Sequence, residues 1–373
     1  MDWKLTLLIL SIFIIFVIFY RNLKQGCNKK EGYEDKGDSK EVQTAVERKL
    51  ICDKNKYNDV GSFPLREYLI KGCFNSAYNG SNISAEVIQQ RLSEGYRFLD
   101  FNLFCASGGI VYVGFSKDNA PVMGDATLKF EDALSTVAAY AFKSQPVSSS
   151  GATNAGASAG PSLRTNYINY PVWMHIRVYR PPSSETDVIG KVAEIIQNSQ
   201  IPGNMFLTNS NGKPTQITGC TPLNSIGPKI IFSVDIENVR QVYQPTDTLS
   251  TEWTPVATRE AIRKFANVLT GGSTIPAFYR YKDKSITRNT KKLGPSDGPK
   301  GKTNAKYWYI VFPHPDDSQE NPEATKFVLQ NTIQLIPMRA YLKDNNLTKY
   351  NEIFDSLKTP FAPLTHVYTH LNA

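Results

Sequence analysis

The stretch from Tyr68 to Tyr112 limits what this chain can fold into more than any other. It holds an apolar run ending in Gly72-Cys73-Phe74-Asn75, a helically spaced segment from Ile83 to Glu94, and a second apolar run ending at Phe104. Gly108-Gly109 and a further apolar run, Ile110 to Val113, follow. Two apolar runs joined by about a dozen helical residues make a βαβ unit. In such units polar groups at the C-terminal ends of the strands face the site. Here those groups are Asn75, Ser76, Asp100 and Asn102, with Arg97 entering the second strand, and no histidine is among them.

The same alternation continues downstream. Strands are expected over Leu65–Gly72, Arg97–Phe104, Gly109–Phe115, Tyr170–Val178, Lys229–Val234, Trp308–Phe312 and Thr332–Pro337. Helices are expected over Ala85–Ser93, Leu128–Phe142, Asp187–Asn198, Thr258–Leu269 and Glu323–Gln330. The second strand is apolar on both faces, as in a parallel sheet covered by helices. Strand-helix alternation over so long a span predicts an α/β fold of the closed (β/α)8 TIM-barrel kind. An open doubly wound sheet is the alternative, weakened because no Gly-rich phosphate turn follows the first strand. Two stretches, 145–165 (Ser/Gly/Ala-rich) and 271–303 (Lys- and Gly-rich), are expected to be loop insertions rather than core.

Before this domain, expected over 49–373, the chain changes character twice. Leu5 to Tyr20 is almost unbroken apolar sequence, with Trp3 and Tyr20 where interfacial aromatics sit, so residues 1–22 are expected to anchor the chain and 3–20 to enter the bilayer. Arg-Asn-Leu-Lys-Gln follows Tyr20 with no small-residue cleavage site, which argues against a removed signal peptide. Arg21, Lys24, Lys29 and Lys30 after the span place the bulk of the chain on the cytosolic side. Residues 23–48, rich in Lys, Glu, Gly, Asp and Ser, read as a flexible charged linker.

Composition excludes more than it assigns. A net charge of +8 is spread along the chain, without a striped basic face or nucleic-acid signature, so no nucleic-acid partner is expected. Five cysteines, an odd number without Cys-x-x-Cys spacing, suit a reducing compartment better than a disulfide framework or a zinc site. Four further groups invite chemistry. His314-Pro315-Asp316-Asp317 reads as a solvated loop rather than a metal cluster, and Asp235-Ile236-Glu237, alternating on one face at a strand end, as paired surface carboxylates, with a cation site the alternative. His366 and His370 stand at helical spacing, but Pro363 and β-branched neighbours argue against a helix there. Cys73, without an adjacent basic residue, is expected to be buried and structural rather than a thiolate nucleophile.

Across Lys71–Tyr78 and Gly95–Phe104 the chain resembles the catalytic X region of the phosphatidylinositol-specific phospholipases C. In that family a first strand runs into a Ser-His-Asn-Thr-Tyr type segment, and a second strand after Gly-x-Arg carries Glu-x-Asp. Weaker similarity runs through Leu128–Phe142, Tyr170–Ile176 and Asn331–Met338, so the resemblance covers most of Leu50–Phe361. The family's chemistry uses two histidines as general base and general acid, groups that typically contribute about 10² to 10⁴ in rate each. The resemblance places Phe74 at the first and Val113 or Gly114 at the second. Asp100 and Asn102 match the Glu-x-Asp calcium pair, Asn75 is retained, and Arg177 replaces the third-strand glutamate. An arginine there repels calcium, although bacterial members use an arginine in place of the metal.

These departures imply a barrel that is not an enzyme, with no catalytic residues, no metal and no cofactor. Its vestigial site would comprise Phe74, Asn75, Arg97, Asp100, Asn102 and Arg177. The expected role is that of a membrane-anchored structural or binding protein of large-DNA-virus type, a minor capsid component joining an internal membrane to capsid proteins. One alternative is a phosphodiesterase on phosphatidylinositol or another diester, reusing Asp100, Asn102, Arg97 and Arg177. Another is a module that binds an inositol phosphate or phospholipid through Arg97, Lys71 and Arg177 without cleaving it.

Overall fold

The structure, a computed structural model, describes residues 60–106, 109–117, 120–122, 128–143, 165–178, 187–217, 219, 221–235, 256–270, 279–281, 309–313, 320–331 and 333–372. The expected anchor, the linker and almost all of the 145–165 insertion lie outside them. Among the described residues no helix is long and apolar enough to cross a membrane.

The fold is α/β, built on a parallel sheet. Its strands are β1 (Tyr68–Ile70), β2 (Gly72–Cys73), β3 (Phe98–Cys105), β4 (Val111–Lys117), β5 (Ala120–Val122), β6 (Val172–Val178), β7 (Ile230–Asp235), β8 (Val268–Thr270), β9 (Tyr279–Tyr281), β10 (Tyr309–Val311) and β11 (Phe361–Pro363). The helices are α1 (Ala85–Ser93), α2 (Phe130–Tyr140), α3 (Val188–Asn198), α4 (Val256–Arg263), α5 (Ala324–Asn331), α6 (Asn345–Leu357) and α7 (Leu364–Leu371). β2, β3, β6, β7 and β8 pair in parallel in that order. β4 and β5 form an antiparallel flap on the far half of β3. On the other side, Leu335 bridges in parallel to both Ile70 and Ile310, and β10 pairs in parallel with β9. The parallel pairings thus run as one chain from β8 through β3 to β9. Pairing between β8 and β9 is not among the described contacts.

Alternation decides what each strand buries. Phe98, Trp173, Ile231, Val268, Ile310, Phe312 and Leu335 meet in one cluster on the inward side of the sheet. Leu99, Phe101, Leu103, Met174, Ile176 and Val234 meet the helices on the outward side. Successive strand side chains point to opposite faces, so inward polar residues are found at the same parity: Asp100 and Asn102, His175 and Arg177, Ser233 and Asp235. The N-terminal end of the sheet is closed by β11, which pairs antiparallel with β1 and sets Phe361 against Tyr68 and Trp173.

α1 spans the residues expected, and α2, α3 and α5 begin within two residues of expectation. Elsewhere the structure corrects the reading. The expected first strand divides into a 3-10 turn at Leu65–Glu67, β1 and β2. The expected helix Thr258–Leu269 ends at Arg263, and Val268–Thr270 is β8 instead. Asn267 causes the break, because its side chain accepts from Phe232 N and donates to Leu207 O and Thr215 O, fixing a turn. Thr332–Pro337 contributes bridges rather than a regular strand, and the 271–303 insertion carries β9. α6, β11 and α7 were not expected. Pro363 does not prevent a helix over His366 and His370, because it stands at the N-cap of α7, where no amide hydrogen is needed.

Candidate functional site

The chain turns sharply after β2. Asn75 takes a left-handed backbone (φ 48°), a conformation that asparagine tolerates better than most non-glycine residues. Its carbonyl accepts from Tyr78 N, and its own amide donates to Asp100 Oδ2 at 3.0 Å. Ser76 fastens the turn to β3, donating from its amide to Asp100 O, while its hydroxyl accepts from Asp100 N and donates to Cys73 O. The Asn75 side chain is therefore held over the C-terminal ends of the strands by three backbone contacts around Asp100.

Arg177, at the C-terminal end of β6, completes the site. Its Nε donates to Asp100 Oδ1 at 2.7 Å and its Nη2 to Asp100 Oδ2 at 2.6 Å, a two-pronged ion pair. The same Nη2 lies 3.0 Å from Asn75 Oδ1, which also accepts from Asn102 Nδ2 at 3.0 Å. Asp100 is fully buried, whereas the Arg177 side chain retains 12% exposure. Phe74 lies under the guanidinium, 4.4 Å from ring centroid to Cζ, and Phe312 lies 5.5 Å away. Such cation–π contacts contribute about 0.5–2 kcal/mol, more when water is excluded. Phe74 thus supports the Arg177 guanidinium from below.

Of the six residues expected at the site, Phe74, Asn75, Asp100, Asn102 and Arg177 are brought together. Arg97 is not. It has the parity of Leu99 and Phe101, so it points outward between α1 and α2. There its guanidinium donates to Tyr167 O (2.8 and 3.1 Å), Tyr96 O (3.2 Å), Ala141 O (3.4 Å) and Leu92 O (3.5 Å). Burial lowers its pKa to about 10, with Tyr167 partly opposing the shift. Lys71 also lies elsewhere, its ammonium donating to Glu94 O and resting over Tyr96 and Phe354. Burial raises the Cys73 thiol to about 11, so the neutral thiol persists at physiological pH.

Two inward residues were missed as members of this site. His175, fully buried one layer below Arg177, stacks on Phe98 (5.2 Å) and Phe312 (5.3 Å), with Nδ1 2.8 Å from Ser233 Oγ. Asp235 is fully buried at the end of β7. Because Ile176 pairs with Val234, the register sets Asp235 beside Arg177. The alternation Trp173, His175, Arg177 was the available signal. His314, Asp316, Asp317 and Glu237 lie outside the described residues. His366 and His370 lie on α7 at the far end, with Ser356 Oγ 3.5 Å from His370 Nδ1.

These residues do not fit calcium. Both oxygens of Asp100 receive arginine hydrogens, and Asn75 Oδ1 accepts from Arg177 and Asn102. A guanidinium holds the place where a cation's oxygen ligands would converge, and calcium requires several such ligands.

No protein-family model matches the chain, and no curated protein matches it. Solved structures do. PLC21 from L. pealei matches at 14% identity and TM-score 0.47, over 92% of this chain and 42% of its own. The chain thus spans about two fifths of that protein. A calcium-dependent phosphatidylinositol-specific phospholipase C from Streptomyces antibioticus matches at 12% identity and TM-score 0.42, over 75% of this chain and 95% of its own. A calcium-dependent phosphoinositol-specific phospholipase C from Pseudomonas sp matches at 11% and 0.41, over 77% and 96%. The chain is similar in fold to phosphatidylinositol-specific phospholipases C. The expectation that the domain is not an enzyme is corrected accordingly. The structures it is similar to are enzymes of that class, and nothing among the described residues gives inactivity positive support.

Proposed function

We propose that this phospholipase-C-like domain is a phosphodiesterase that takes phosphatidylinositol or another phosphodiester at the C-terminal mouth of its parallel strands. An arginine there stands in for the metal. The observation that carries this reading is the Arg177–Asp100 pair, a guanidinium fixed at two nitrogens, resting on Phe74 and still 12% exposed. A preorganised cation at that position stabilises negative charge developing on phosphoryl oxygens without needing to reorganise. Asp235, beside Arg177 in the register, is the carboxylate assigned to proton transfer. A barrel closed between β8 and β9 belongs to the same proposal.

The test is turnover by the full chain in detergent micelles, on phosphatidylinositol and on bis(4-nitrophenyl) phosphate, with calcium or with chelator. Turnover unaffected by chelator is expected, with Arg177→Gln reducing it by about 10²- to 10³-fold, as loss of one charge-stabilising donor does elsewhere. Absence of turnover on every diester, or dependence on calcium, overturns the reading.

A location is part of the proposal. The apolar run 3–20 and the basic residues after it support a single bilayer anchor with the domain on the cytosolic side. The viral resemblance supports placement between an internal membrane and capsid proteins. Protease protection of the domain in sealed membranes, or its absence from purified particles by immunogold labelling, counts against these two statements respectively.

A further inference from the structure

Beneath Arg177 a column of flat side chains continues into the interior. The Arg177 Cζ lies 4.4 Å from the Phe74 ring centroid and 5.5 Å from that of Phe312, and the two rings are 5.9 Å apart. Phe312 is stacked on the imidazole of His175 at 5.3 Å with an interplanar angle of 27°. His175 is stacked in turn on Phe98, at 5.2 Å and 29°. All four rings are buried, His175 completely. They come from four segments: the turn after β2, the start of β3, the middle of β6 and the residue after β10.

A phenyl ring would fill the same stack without the cost of burying a polar group. What the imidazole adds is a fixed orientation. Its Nδ1 lies 2.8 Å from Ser233 Oγ, and the register pairs His175 with Ser233 on β7 and with Asp100 on β3. The bond to Ser233 fixes rotation about the imidazole's Cβ–Cγ bond, so the ring presents one face to Phe312. Two different contacts then set the guanidinium. Asp100 holds its edge at Nε and Nη2, which fixes direction within the plane. The faces of Phe74 and Phe312 oppose tilting of that plane. Stabilisation of charge on a phosphoryl oxygen depends on where the donors point before the reaction begins, so tilt matters as much as position.

We propose that His175 is a positioning residue for Arg177. Anchored by Ser233, its ring carries Phe312, and Phe312 with Phe74 sets the plane of the guanidinium. The inference goes beyond the phosphodiesterase reading, which gives His175 no part, and rests on it only where turnover is the readout.

The experiment uses the full chain in micelles, labelled with 15N at arginine, with the Arg177 Nε–H resonance assigned by its loss in Arg177→Gln. Two double variants lose the Ser233 bond alike and differ only in the ring face: His175→Leu/Ser233→Ala and His175→Phe/Ser233→Ala. The leucine variant is expected to move the Arg177 Nε–H resonance and speed its exchange with solvent, and to lower kcat on bis(4-nitrophenyl) phosphate by about three- to tenfold with KM unchanged. The phenylalanine variant is expected to recover most of both. Ser233→Ala alone is expected to move the resonance less than the leucine variant does. A folded leucine variant with the Arg177 resonance and its exchange unchanged overturns the proposal. So does an equal loss of kcat in the leucine and phenylalanine variants that follows their melting temperatures, since His175 would then act only as core. If the leucine variant does not fold, Ser233→Ala carries the test, and an unmoved resonance there overturns the proposal. A wild-type chain that turns over no diester, while the Arg177 resonance still responds to the residue at 175, overturns the phosphodiesterase reading and leaves this inference standing.

Discussion

Arg97 and Arg177 are both arginines on neighbouring parallel strands, both removed from bulk water, and they meet that cost in opposite ways. Arg97, at the N-terminal end of β3, has no carboxylate among the partners described; its hydrogens go to the carbonyl oxygens of Leu92, Tyr96, Ala141 and Tyr167. Arg177, at the C-terminal end of β6, is paired with Asp100 and keeps one side toward solvent. One arginine ties α1, α2 and the segment before β6 to each other. The other lies at the mouth of the strands, paired with Asp100 and 12% exposed. A buried charge satisfied by backbone dipoles is committed to structure, whereas a charge with a flat, partly open guanidinium remains able to receive an anion.

The largest effect that tests this contrast is Arg97→Ala. Its removal leaves several buried carbonyls without donors, and a loss of about 3–5 kcal/mol is expected, read as poor accumulation and an early denaturant midpoint. Arg97→Lys is expected to rescue little, since one ammonium does not reach four carbonyls in different directions. Stability unchanged in Arg97→Ala breaks the comparison outright. At the mouth, Arg177→Gln is expected to cost about 3 kcal/mol in transition-state stabilisation and to destabilise by leaving Asp100 buried without its cation. The double variant Arg177→Gln/Asp100→Asn is expected to regain stability without regaining turnover, and a thermal-melt and turnover cycle separates the two.

Smaller effects sharpen the boundary between the ends. Gly95 has φ +87°, and a Cβ there would lie 2.6 Å from the Tyr167 ring, so Gly95→Ala is expected to cost about 2–3 kcal/mol in denaturant unfolding and to leave the mouth intact. Cys73 lies on β2 between the two ends. Its thiol titrates near 9.0 when unfolded and about 11 when folded, so the unfolded chain loses its proton first. The raised folded pKa therefore gives stability that is complete below pH 9 and is lost as pH climbs to 11. Cys73→Ala is expected to flatten that alkaline decline by roughly 2 kcal/mol, seen as a shallower pH dependence of the urea midpoint.

Much of the architecture was legible because strands buried on both faces read as continuous apolar runs, as in β3 and β6. The faces were not read as well. Arg97 and Asp100 lie in the same strand region three positions apart, so they face opposite sides, and only the odd-even rule distinguishes a mortar residue from a site residue. The same rule, applied to Trp173-Met174-His175-Ile176-Arg177, would have drawn His175 into the inward layer. His175 stands at none of the positions where the resemblance to the phospholipases C calls for a histidine, so the resemblance alone gives it no place. β8 was hidden because Phe265 and Val268 extend the helical spacing past a turn that only Asn267's long-range hydrogen bonds make visible.

The pairing of β1 with β11 sets a clock on how this domain is made. Tyr68 finds its strand partner only at Pro363, and Gly72 N finds the Tyr350 hydroxyl only 278 residues later. During synthesis, at about 5–20 residues per second, β1 therefore waits for tens of seconds with its edge unsealed while the strands between are already able to pair. A strand completed only by a partner nearly 300 residues later is slow to commit and exposed to wrong partners until then. Ribosome-stalled intermediates would show it as protease sensitivity persisting at the N-terminal end of the sheet until α6 and β11 have emerged.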